Sequence, residues 1–199
     1  MHKIRYKSNI TTGSLLVKES QVIARLLLEN INDKAWHQAI VIDNLLQKRS
    51  LESAKRQARL IKGRLKLMKP ELWKLIDKGT SDVVTQALLA ASIKHSPLLG
   101  DFMYNVIKPH WQVFKKRLIN KDWHDYLETC AQINPHIQKW TKHTRSKLKQ
   151  IIFRILFEAK YVDNTRSLEL LPVSITNDVK TYLLNNSENY VLKCMEITP

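Results

Sequence analysis

The side chains that most clearly indicate a chemical function are cations that recur at helical spacing between residues 48 and 66. Four of them lie three or four residues apart: Lys55, Arg59, Lys62 and Lys66. An α-helix would align them as a basic stripe about 16 Å long, which matches several phosphates along a nucleic-acid groove. More cations precede or flank this stripe: Lys48, Arg49, Arg56 and Arg64. Since Glu52 is the only acid of the segment, carboxylates within it cannot neutralise the stripe.

A second set of cations lies between Glu128 and Glu158, in a segment that contains no other acid. Its members are Lys139, Lys142, Arg145, Lys147, Lys149 and Arg154. A helix predicted from Thr141 would bring several hydroxyl groups close to these cations at its first turns, a mixture that suits phosphate oxygens. We therefore predict DNA contacts from Lys48, Arg49, Lys55, Arg56, Arg59, Lys62, Lys66, Lys142, Arg145, Lys147 and Lys149.

Both sets also have an interpretation without a ligand, because exposed helix faces are often rich in lysine for solubility alone. The arginines between residues 49 and 64 favour phosphate binding, since a guanidinium is a planar, bidentate donor that a merely soluble face does not need. A shorter basic run, Lys115 to Arg117, is a weaker candidate for phosphate binding than the other two sets. Its three adjacent side chains would point to different sides of a helix.

Other residue types give weaker indications of chemistry. Four of the five tryptophans lie in predicted helices at positions suited to burial, and Trp140, beside Lys139 and Lys142, is the one expected to contact nucleic acid. His124 lies one helical turn from Glu128, which is a weak acid-base signal. No metal-ligand motif, glycine-rich phosphate loop or nucleophile elbow is present. We therefore expect no catalytic site, cofactor or small-molecule substrate.

Helical periodicity and helix-start residues predict most of the elements. The clearest apolar face has members spaced by three and four residues: Leu51, Ala54, Ala58, Ile61, Leu65 and Met68. Ser50 is placed to cap this helix. Further helices are expected at about 15–30, 33–47, 71–78, 81–95, 97–108, 110–118, 120–132 and 141–160. Pro109 is expected to end the helix that starts at Pro97, with a kink or short break after it.

After residue 160 the sequence pattern changes and predicts short strands as well as a helix. The segments 167–173 and 190–197 are short and rich in Leu, Val and Tyr, and a helical stretch at 176–185 separates them. They could pair as a small two-stranded sheet, giving an appendage similar to a winged helix. The expected fold is thus mainly α: a compact helical bundle over 1–140, and a helix with a small β/α appendage over 141–199, or the two parts together as one single domain.

Composition limits the compartment and the partners. The chain has 199 residues, a formal net charge of +15 and two distant cysteines, which suggest neither a disulfide framework nor a zinc site. The N-terminus lacks an apolar signal region, and no apolar run reaches the roughly 20 residues that a bilayer requires. We expect a cytoplasmic protein without membrane insertion. An excess of cations favours a polyanionic partner, with nucleic acid as the first candidate.

Seven segments of the sequence, spread over most of the chain, together resemble a known protein family. The resemblance is carried by ARLLLE from Ala24, NLLQKRS from Asn44, ELWKLI from Glu71, QALLAASIKHSPLLGDF from Gln86, KLKQIIFRILFEAKYV from Lys147, TRSLELLPV from Thr165 and YVLKCMEI from Tyr190. In this order and spacing, the strings resemble the BrxA family, small proteins of bacteriophage exclusion (BREX) operons.

The resemblance implies an intracellular phage-defence component that is encoded with a DNA adenine methyltransferase, an ATPase and a phosphatase-like protein. It further implies a mainly helical fold that binds double-stranded DNA without cutting or methylating it. Of the candidate residues, Lys48 and Arg49 lie within a matching string, whereas Lys55, Lys62 and Lys66 rest on the charge argument alone. The alternatives are an assembly adaptor that docks on acidic surfaces of BREX partners such as the methyltransferase, or an RNA-binding helical bundle.

Overall fold

The computed structural model describes residues 6–197, which form an array of α-helices. The first part contains α1 (Val17–Leu28), α2 (Asp33–His37, extended by a π turn at Gln38–Ile42), α3 (Leu51–Leu65), α4 (Pro70–Lys78) and α5 (Ser81–His95). The second part contains α6 (Pro97–Phe102, extended by a π turn at Met103–Ile107), α7 (Lys108–Gln112), α8 (Asn120–Ile133), α9 (Lys142–Glu158), α10 (Asn177–Asn185) and α11 (Asn189–Met195). The mainly helical prediction is confirmed.

Helix α5 is the centre of the packing. Its residues from Val83 to Ile93 are all buried, so the helix has no solvent face along this stretch. Helices α1, α3, α4, α10 and α11 pack around it. A helix that is buried on all sides can only be stable inside such an array.

Side-chain caps fix the starts of α2 and α3, and the cap expected at Ser50 is present. The Asn32 side-chain oxygen accepts a hydrogen bond from the Ala35 amide at 2.9 Å. The Ser50 hydroxyl accepts one from the Ser53 amide at 3.3 Å. The apolar face of α3 is buried as expected, except for Leu51 at its first position, which is exposed.

The break expected at Pro109 is absent, and that prediction is wrong. Lys108 keeps helical dihedral angles, and α7 continues through Pro109 to Gln112. The preceding π turn widens the helix, and its last bond runs from the Lys108 amide to the Met103 carbonyl. A widened turn accommodates a proline ring that would otherwise clash with the backbone four residues earlier.

The C-terminal β element is also absent from the described residues, so the winged-helix-like appendage is corrected. The segment expected as a second strand is helix α11, which buries Val191, Leu192, Cys194 and Met195 at helical spacing. The segment 167–173 makes only isolated bridges, between Arg117 and Glu169 and between Val162 and Leu170. A short apolar run fits a helix or a strand equally well until its neighbours are known.

A polar connection ties α3 and α9 to the N-terminal segment. Arg64 of α3 is 3% exposed and donates hydrogen bonds to the carbonyls of Gly13 and Ser14. The Ser14 hydroxyl donates to the Glu158 carboxylate at the end of α9, at 2.7 Å.

Within the described residues, no helix is both long and apolar enough to cross a bilayer.

Candidate nucleic-acid interface

Helix α3 presents part of the basic stripe to solvent. Arg56, Arg59 and Lys66 are exposed, as is Arg49 just before the helix. Within residues 6–197 these four side chains have no ion-pair or hydrogen-bond partner. They are therefore free to meet an anion without first breaking an internal contact.

Three other predicted cations on this side already have partners. Lys48 forms an ion pair with Glu19 of α1, which lies 29 residues away along the chain. Lys55 Nζ lies 3.7 Å from a Glu52 carboxylate oxygen. Lys62 Nζ lies 3.8 Å from the centroid of the Trp36 ring, which is a cation–π contact. These lysines could reach a phosphate only by giving up part of an existing interaction.

Arg64 differs from the other cations of α3, because it is buried and bound to backbone carbonyls. It cannot flank the basic stripe at the surface as the sequence suggested. Burial lowers the pKa of its guanidinium to about 10, and the charge of Glu158 opposes this shift. The group stays protonated at neutral pH and holds the N-terminal segment in place.

A shallow groove of about 330 Å³ lies between α2 and α3. Lys55, Arg59 and Lys62 line one side, and Trp36 and Asp33 line the other. The aromatic ring and the cations make this groove suitable for a flat or anionic group. Asp33 reduces its positive potential, because it places a carboxylate among the cations.

A larger groove of about 550 Å³, here the α9 groove, runs along α9 beside the start of α8. Its lining contains cations and neutral polar groups and no carboxylate: Asn120, Ser146, Lys147, Lys149, Gln150, Ile151, Phe153, Arg154 and Thr165. Lys149 Nζ donates to the Asn120 side-chain oxygen at 3.2 Å, and Lys147 Nζ donates to Gln150 at 3.2 Å. Neither lysine is paired with an acid within the described residues, so no carboxylate compensates their positive charge.

The remaining cations of this region have mixed environments. Lys142, the first residue of α9, is exposed and has no partner in the part of the chain that the structure describes. Arg145 forms an ion pair with Glu128 at 2.6 Å and also donates to the Ile137 carbonyl. Arg154 pairs with Glu158 at 3.0 Å along its own helix. Arg145 is therefore the least available of the predicted residues on α9.

Three cations of the first predicted set line the groove between α2 and α3, and three of the second set line the α9 groove; the other predicted cations line neither groove. No residue lines both grooves. The structure brings Lys147 and Lys149 together with three polar residues that sequence reasoning missed, Asn120, Gln150 and Thr165. Their approach depends on the packing of α8 and the 162–170 segment against α9, which no local pattern of the sequence reveals.

Contacts within the fold are observed for the acid-base candidate Glu128, for Asp125 near it and for the aromatic candidate Trp140, whose nucleic-acid contact stays a prediction. Asp125 pairs with Lys121 at 2.5 Å and Glu128 pairs with Arg145, so both carboxylates serve as counter-charges. Trp140 is half-buried, packs against the core and meets the His136 ring edge-on at 5.5 Å. Within residues 6–197, His, Cys, Asp and Glu nowhere gather in a group of three or more that could hold a metal ion.

Comparison with known proteins agrees with the resemblance found in the sequence. The BrxA family model matches residues 4–187. The BREX protein BrxA of Paramagnetospirillum magneticum is 41% identical over 198 residues and is covered completely, as is this chain. The BREX protein BrxA of Escherichia coli O9:H4 (strain HS) is 29% identical, over 92% of this chain and 86% of its own length.

A solved structure has the same fold. The crystal structure of an uncharacterized protein from Magnetospirillum magneticum superposes with a TM-score of 0.91 at 40% identity, covering 98% of this chain and 100% of that one. Both the family model and the full-length relatives lead to one conclusion: the chain belongs to the BrxA family and is a component of BREX systems.

Proposed function

We propose that this chain is a non-catalytic BREX component that binds double-stranded DNA mainly through phosphate contacts. The observation that carries the proposal is the α9 groove, where Lys147 and Lys149 lie among neutral hydrogen-bond donors with no carboxylate in the lining. Phosphate oxygens are bound in proteins by this combination of cations, hydroxyls and amides. The exposed cations of α3, Arg56, Arg59 and Lys66, are proposed as a second contact surface on the duplex.

Such an interface would recognise the phosphate charges of the duplex and not its base sequence. Phosphate contacts set the position of a protein on DNA but carry no base information. We therefore propose little sequence specificity and a steep loss of affinity with salt. If about six phosphates are neutralised, the log–log slope of affinity against salt is about −5.

The experiment is a gel-shift series at increasing salt with a duplex of arbitrary sequence. The double variant Lys147→Glu, Lys149→Glu should abolish most of the binding, because it replaces both unpaired cations of the α9 groove with acids. The matched control is Lys74→Glu, Lys78→Glu, which reverses two exposed lysines on α4 that have no ion pair within the described residues. A flat salt dependence, or equal losses in both variants, would refute the proposal.

One observation favours a second candidate function, an assembly adaptor. Beside the cations of α3, the apolar side chains of Ile42, Leu45 and Leu51 are exposed. A mixed apolar and basic surface is typical of a protein interface with an acidic partner. Co-purification with the other BREX proteins, before and after charge reversal on α3, separates this function from DNA binding.

A further inference from the structure

The loop between α7 and α8 carries two bare apolar side chains at its tip. Phe114 is 90% exposed and Val113 is 72% exposed. Single exposed apolar residues are common on protein surfaces, but two adjacent ones this exposed are less common and can together offer an apolar contact surface. We call residues 113–119 the tip loop.

The tip loop is held in a fixed and strained shape. Phe114 has a left-handed backbone with φ of 55°, which a side chain larger than glycine rarely adopts. The amides of Phe114 and Lys115 bond back to the carbonyls of Trp111 and His110 at 3.1 and 2.9 Å. These two bonds form a left-handed cap at the C-terminal end of α7, which fixes the backbone from which the Phe114 side chain leaves the helix.

The rest of the loop is also held in place, by backbone hydrogen bonds and an ion pair. The Leu118 amide donates to the Leu168 carbonyl at 3.0 Å, and the Leu170 amide donates to the Lys116 carbonyl at 2.9 Å. Lys115 Nζ lies 2.8 Å from the Asp122 carboxylate at the start of α8. The exposed ring of Phe114 is thus presented on a rigid support, so that ordering it on a partner costs little entropy.

The charges and the position of the loop indicate which partner it meets. Lys116 and Arg117 are exposed, and their side chains have no acidic partner among the described residues. Asn120, six residues after Phe114, lines the α9 groove and contacts Lys149. Six residues span at most about 20 Å, which equals about six base steps of a duplex. An exposed apolar pair that is followed by two exposed cations, and that lies within about 20 Å of a residue of the α9 groove, fits a DNA duplex, which offers apolar base steps beside an anionic backbone.

We propose that Phe114, supported by Val113, is a wedge that inserts between stacked base pairs of the duplex bound in the α9 groove. This proposal rests on the proposed function and adds a mode of contact to it. Apolar side chains inserted at a base step unstack it and bend the duplex, which lets more phosphates reach the protein. A rigid wedge of this kind would let a small protein distort DNA without reading its sequence.

The test uses the full chain and a duplex that contains 2-aminopurine, whose fluorescence rises when its base is unstacked. Saturating wild-type protein should raise the fluorescence, and Phe114→Ala should remove the rise and weaken affinity by about tenfold, as for the loss of one stacking contact. Phe114→Leu keeps an apolar wedge and should retain most of the rise. Leu184→Ala, at an exposed apolar position on α10, is the matched control and should behave as the wild type.

The outcomes separate this inference from the proposed function. Salt-dependent duplex binding without a fluorescence rise, or with a rise that persists in Phe114→Ala, overturns the wedge and leaves phosphate binding intact. Absence of duplex binding by the wild type overturns both. If Phe114→Ala instead loses binding to anionic lipid vesicles while its duplex signal is unchanged, the tip meets a membrane and the wedge is refuted.

Discussion

At the scale of single residues, Arg64 and Arg56 show how differently two arginines of one helix are used. Arg56 is exposed without a partner in the described part of the chain, whereas the Arg64 guanidinium binds the carbonyls of Gly13 and Ser14. Arg64 lies at the edge of the apolar face of α3, whereas Arg56 lies opposite that face. Arg64 also faces a segment that is 50 residues distant along the chain, and the sequence pattern of α3 does not reveal that partner.

We expect Arg64→Ala to destabilise the protein by about 3 kcal/mol, because it leaves two carbonyls without their donor and opens space in the core. Urea unfolding followed by circular dichroism measures the change in free energy. Arg56→Ala is the control and should change stability by less than about 0.5 kcal/mol. Similar values for the two variants would show that the buried hydrogen bonds of Arg64 contribute nothing specific.

His95 makes stability depend on pH. Its ring lies 3.4 Å from the Asn9 amide nitrogen, and burial, followed by the charges of Arg64 and Lys7, lowers its pKa to about 4. Between that value and about 6.5 the unfolded chain takes up a proton that the folded chain does not, so stability falls as the pH decreases through this window.

We expect His95 to account for about 2 kcal/mol of this loss between about pH 7 and pH 4.5, since water still reaches part of the ring. The measurement is urea unfolding of wild type and His95→Gln over that range. The variant should show a shallower decline, because glutamine does not titrate. Parallel pH profiles of the two proteins would exclude His95 as the cause.

At the scale of elements, some helix starts were predictable, whereas helix neighbours were not. Ser50 and Pro97 act locally, so their sequence context places two helix starts correctly. The residues 190–197 were misassigned because their apolar side chains pack on α5 and α10, and this packing decides between helix and strand. For the same reason, sequence predicted Lys147 and Lys149 as candidates but not Asn120, which a separate helix brings to them.

The cap of α9 gives a prediction at this scale. The Thr141 hydroxyl accepts a hydrogen bond from the Thr144 amide at 3.1 Å and fixes the start of the helix that bears Lys147 and Lys149. Thr141→Ala should cost about 1 kcal/mol, whereas Thr141→Ser should retain most of the stability. Urea unfolding compares the two. Equal losses would show that the missing methyl group, and not the hydroxyl, accounts for the change.

At the scale of the whole molecule, the chain combines one core with two separate basic surfaces. The buried apolar side chains on both sides of residue 140 belong to a single cluster, and we therefore propose that the two parts expected from the sequence fold as one domain. A single rigid domain fixes the angle between the α9 groove and the cations of α3. Under the proposed function, the net charge of +15 would attract a duplex at long range, and this angle would determine which cations reach its phosphates.

The second surface yields the last prediction. If Arg56 and Arg59 bind the same duplex as the α9 groove, Arg56→Glu, Arg59→Glu should weaken binding and make the salt slope shallower by about two, because each arginine no longer neutralises its phosphate. Lys62 is left unchanged, since its interaction with Trp36 also supports the packing of α2 on α3. A gel-shift salt series measures the slope. An unchanged slope, together with failure to co-purify the BREX methyltransferase, would assign this surface to a protein partner, because DNA binding would then depend on the α9 groove alone.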